Sequence, residues 1–81
     1  MFRIVISRLT DDGLHVTPER HGTAMSVDEA VLAVRRHLPT ADTGALRSDA
    51  VQTSVNRVND FRRDVRTGEG DHFRVVIAPM M

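Results

Sequence analysis

The chain carries nearly the same five letters at both ends, FRIVI at residues 2–6 and FRVVI at residues 73–77. In both, apolar side chains recur at every second position and β-branched residues dominate, the pattern of a strand that buries one face. Only 81 residues are present, enough for one domain and close to the size at which a single apolar core becomes marginal. The expectation is therefore one globular domain over residues 1–81, with the two terminal strands side by side under whatever lies between them.

The stretch between them changes period. After the first strand, residues 2–9, Thr10-Asp11-Asp12-Gly13 reads as a hairpin turn, with Gly13 suited to a left-handed position. Residues 14–17 alternate again, and Pro18 is expected to stop the ladder. Residues 18–25 have no clear period and read as a loop or a short extension of the second strand. Ser26 then opens a helix as its N-cap, with Glu29 three residues on completing a capping box. Val27, Ala30, Val31, Val34 and Leu38 share one helical face, and Pro39 ends the element.

A second helical stripe runs through Val51, Val55, Val58, Phe61 and Val65, beginning somewhere between Asp42 and Ser48. Residues 67–70 stop it, with Gly68 in the C′ position. Residues 72–78 form the last strand, ended by Pro79.

Two helices joined by a short connector pack as an antiparallel pair. The predicted fold is thus α+β with element order ββααβ: a three-stranded mixed sheet of order 2-1-3 with the helical hairpin on one face. The last strand would run parallel to the first, and its direction tests the hairpin reading. In that register Phe2, Ile4 and Ile6 meet Phe73, Val75 and Ile77 under the helices. Arg3 then lies near Arg74 and Val5 near Val76 on the uncovered face. A surface of arginines beside valines suits an acidic or planar partner, so Arg3, Val5, Arg74 and Val76 are the candidate partner-binding residues.

Chemistry is constrained mainly by what is missing from the sequence. There is no cysteine, which removes disulfides, thiolate catalysis and Cys-ligated metal, and a small chain without staples fits a reducing, cytoplasmic setting. All 11 basic side chains are arginine, so lysine nucleophiles are unavailable; a GC-rich coding sequence accounts for the bias. His15, His21, His37 and His72 show no metal-ligand spacing, and no phosphate-cradling glycine motif occurs. No catalytic residue, metal or cofactor is expected, nor any signal peptide or membrane span.

Eleven acidic residues balance the arginines, with a pI near 6.9, which favours association over self-repulsion. The expected function is that of a small non-enzymatic interaction or regulatory module, of an accessory or phage type, with a protein partner of unknown identity. A homodimer is expected as well, formed through the open edge of the last strand. The alternative is a nucleic-acid-binding accessory protein, using Asn56, Arg57, Asn59, Arg63 and Arg66 on the second helix against phosphates and base edges. Balanced charge and the absence of tyrosine and tryptophan weigh against it.

Overall fold

The computed structural model describes residues 1–10, 14–41 and 46–80, together with the backbone but not the side chain of Val58. Its elements are β1 (Phe2–Leu9), β2 (Val16–Ala24), α1 (Val27–His37), α2 (Ser48–Val58), β3 (Phe61–Arg66) and β4 (His72–Pro79). The expected α+β class holds, with both helices on one face of the sheet, but the sheet has four strands in the order β2-β1-β4-β3. All three pairings are antiparallel, so neither the three-stranded order 2-1-3 nor the mixed sheet is correct.

The physical reason lies in the second helical stripe. Helix α2 stops at Asn59, whose φ of 68° is left-handed and whose N–H is donated to the Val55 carbonyl at 3.0 Å. Asparagine tolerates that conformation better than most residues, which makes it a natural helix terminator. The chain then extends as β3, so Phe61 and Val65 bury as strand residues rather than as the next turns of a helix. That extra strand adds one reversal, and β4 returns antiparallel to β1 although the β1–β2 hairpin is present.

Residues 67–70 are consequently a hairpin loop between β3 and β4. Thr67 N–H donates to the Asp71 carbonyl at 2.9 Å, and Gly70 sits at φ 90°. This is the geometry of a three-residue hairpin loop with glycine in its left-handed place. Gly68 is therefore no helix cap. Its N–H donates to the Thr40 carbonyl at 3.0 Å, and Thr40 Oγ1 donates to Glu69 at 2.6 Å, tying the loop to the chain just after α1.

Pro18 does not stop the second strand either. β2 continues through it to Ala24, with a register shift opposite Ile6 and Ser7 that leaves Glu19 unpaired. A bulge on an edge strand is where proline is tolerated. Of the turn expected at Thr10–Gly13, residues 11–13 lie outside the described residues. Of the range expected for the start of the second helix, Asp42 to Ser48, residues 42–45 also lie outside them, and α2 begins at the end of that range, at Ser48.

Helix α1 forms as its sequence dictates. Ser26 Oγ accepts from the Glu29 N–H at 3.2 Å, and Glu29 Oε2 accepts from the Met25 N–H at 2.6 Å, one residue before the usual capping-box donor. Val27, Ala30, Val31, Val34 and Leu38 are all buried. They join Ile4, Ile6, Phe73, Val75 and Ile77 from the sheet and Leu46, Val51 and Val55 from α2 and its approach, forming one core between the layers. Helix α1 packs over β1 and β2, and α2 over β3 and β4. Among the described residues, no helix is long and apolar enough to cross a membrane.

Candidate functional site: the open face of the sheet

Because side chains alternate along a strand and antiparallel partners share a face, the register assigns each residue to one side of the sheet. The chain has three phenylalanines, each followed by arginine: Phe2-Arg3, Phe61-Arg62 and Phe73-Arg74. Phe61 and Phe73 are buried and Phe2 half-buried against the core, so Arg3, Arg62 and Arg74 all project from the face the helices leave open. Arg66 is on that face too, since it pairs with His72.

At its centre Val5 pairs with Val76, as the sequence led one to expect, and both are half-buried. The antiparallel direction corrects the arginines, however. Arg3 pairs with Ala78 and Arg74 with Ser7, which puts the two about 13 Å apart along the strands, on either side of the valine pair. Arg62 flanks Val76 on the β3 side, and His21 flanks Val5 on the β2 side. Next along the strands, Leu9 is buried between Val16 and His72 although no helix covers it.

One carboxylate, Asp64, stands among these cations, and it is committed to Arg74 by two hydrogen bonds of 2.9 and 3.3 Å. The Arg74 guanidinium lowers the Asp64 carboxyl below its ordinary range, with Arg62 and His72 adding to the effect. No hydrogen bond or ion pair engages Arg3, Arg62 or Arg66 among the described residues. The face is thus a small apolar centre with three unengaged guanidinium groups around it.

The expected edge in this region does not exist: β4 pairs with β1 on one side and β3 on the other, so dimerisation through its backbone is closed. The free edges belong to β2 and β3. The alternative basic set is also broken up. Asn56 and Arg57 are on α2, Asn59 is its left-handed cap, and Arg63 and Arg66 are on β3. Arg63 pairs with Val75 and faces the helix side, whereas Arg66 faces the open side. The five residues form no common helical surface.

A second polar cluster closes one end of the core on the helix side. Arg8 reaches Glu19 and Asp71, each at 3.2 Å, and its guanidinium lies 4.7 Å from the Phe73 ring centre. Glu19 also meets His37 at 3.4 Å. Partial burial opposes ionisation of Glu19, but Arg8 and His37 outweigh it and the carboxyl titrates below its usual range. The groups are mutually paired and hold β1, β2, α1 and the β3–β4 loop together. Among the described residues, no three histidine or carboxylate side chains converge to hold a metal ion.

The sequence reading missed Arg62, Arg66, His21 and His72 as members of the open face. The third Phe-Arg pair, followed by a glycine-containing turn and then a strand, is the signal that locates β3 and with it Arg62 and Arg66. No protein-family profile, curated protein or solved structure matches this chain.

Proposed function

We propose that the protein is a non-enzymatic accessory or regulatory module that binds an acidic protein partner on the open face of its sheet. One observation supports this above the rest: Val5 and Val76 are only half-covered, Arg3 and Arg62 lie beside them with Arg66 farther along β3, and none of these three arginines makes a hydrogen bond or ion pair among the described residues. Apolar contact at the centre would supply binding energy, and guanidinium pairing with carboxylates would orient the partner. A phosphate backbone could use the same arginines, but the three phenylalanine rings point into the core or are held against it. That leaves only the smaller imidazoles of His21 and His72 on the open face, a weaker stacking platform than the large aromatic side chains single-strand binders use. A cytoplasmic setting belongs to the same proposal and rests on the cysteine-free composition.

The test is affinity capture from native cell extract with wild-type protein and with Val76→Asp and Arg62→Ala/Arg66→Ala variants, each verified as folded by circular dichroism. The expected result is one protein retained by wild type and lost with both variants. Titration against generic DNA and RNA at increasing salt accompanies it. Affinity that falls steeply with salt and survives Val76→Asp would assign the face to nucleic acid instead.

A further inference from the structure

We infer that β2 and α1 form a self-complementary surface through which two copies of the chain associate. Among the described residues β2 pairs with β1 alone, which leaves its outer backbone edge open. Its first half is guarded by Pro18 and the bulge at Glu19, but residues 20–24 pair regularly and contain neither proline nor an irregularity. Gly22, in the middle of that stretch, has open space where a Cβ would be.

Beside this edge, Thr23, Ala24, Glu29, Leu32, Ala33 and Arg36 line a shallow groove. Leu32 is 49% exposed and sits in this groove beside Ala33, giving the helix face an apolar centre. Arg36 has no hydrogen-bond or ion-pair partner among the described residues. Glu29 and Arg36 are equidistant from the midpoint between Leu32 and Ala33. A twofold axis at that midpoint runs the two copies of α1 antiparallel and brings each Glu29 to the partner's Arg36, with Leu32 against Leu32 between them.

The spacing of the layers agrees. Each helix covers two strands, and strands lie about 4.8 Å apart, so continuing the sheet from β2 to the partner's β2 places the two α1 axes about 9.6 Å apart. Packed helices sit about 8–10 Å apart. From Val27 to the α1 midpoint is a rise of about 8 Å, or roughly 2.5 strand residues back from Ala24, which sets the strand axis near Gly22. Pairing then uses residues 20–24 and leaves Pro18 outside it. Strand edge and helix face demand the same axis, and the result is an eight-stranded sheet with both open faces on one side.

Light scattering and sedimentation across the micromolar to millimolar range test this, using wild type, Arg36→Glu, Leu32→Glu and Glu29→Arg. Wild type should dimerise with slowed hydrogen exchange at residues 20–24. Arg36→Glu and Leu32→Glu, both on the exposed helix face and verified as helical, should each weaken the dimer about tenfold or more. Mixing Arg36→Glu with Glu29→Arg, the latter also verified as helical because it loses the Met25 N–H contact at the start of α1, should restore it, because the mixed pair is complementary at both ends. A wild type that stays monomeric throughout, or a dimer unchanged in folded Arg36→Glu and Leu32→Glu, overturns the inference.

Discussion

Asn59 decides more about this fold than its size suggests. Its left-handed backbone ends α2, and for most other L residues that conformation costs about 1–2 kcal/mol. Asn59→Ala should therefore destabilise the protein by about 1 kcal/mol in urea unfolding, whereas Asn59→Gly should be neutral or slightly stabilising. Equal effects of the two would mean that the cap conformation is not what matters.

Asp64 supports a prediction at the same scale. Its folded pKa is depressed by Arg74, so the pairing adds stability above the unfolded carboxyl value of about 3.9 and loses it as pH falls through the folded value. In a carboxyl-detected NMR titration, the Asp64 midpoint should lie below that value and rise in Arg74→Gln. An unshifted midpoint in the variant would contradict the pairing. Of the site residues, Arg3, Val5, Arg74 and Val76 were legible because strand alternation alone assigns them to one face. Arg62 and Arg66 were not, because their face depends on β3 being a strand.

At the scale of elements, α1 was legible from cap to final proline, since Ser26, Glu29, the apolar stripe and Pro39 all state the same boundaries. β3 was hidden by a coincidence of period. Phe61 and Val65 are four apart, which fits one face of a helix and equally two alternate positions of a strand, and Val51 and Val55 before them set the helical reading. Asn59 and the glycines at 68 and 70 are the residues that break the tie. Phe61 is buried against the core, so Phe61→Ala should cost about 3–5 kcal/mol, a large part of what a small domain possesses. Hydrogen exchange of the monomer, at concentrations too low for self-association, should separate the strands as well: amides of β1 and β4, paired on both sides, should exchange slowest, and those of β2 and β3 faster. Slow exchange confined to β1 and β2 would contradict the observed order.

For the molecule as a whole, the antiparallel order has a functional consequence that the parallel one lacks. It separates Arg3 from Arg74 and adds Arg62 and Arg66, so the cations surround the valine pair instead of crowding one side of it. Two helices cover one face of the sheet, and the other is the face proposed to take a partner. The most direct test of that claim is photo-cross-linking in native extract with a benzophenone amino acid placed at position 76 on the open face or at Thr53 on the exposed side of α2. The account predicts a discrete protein adduct from position 76 and none from position 53. An adduct from position 53 with none from position 76 would contradict it.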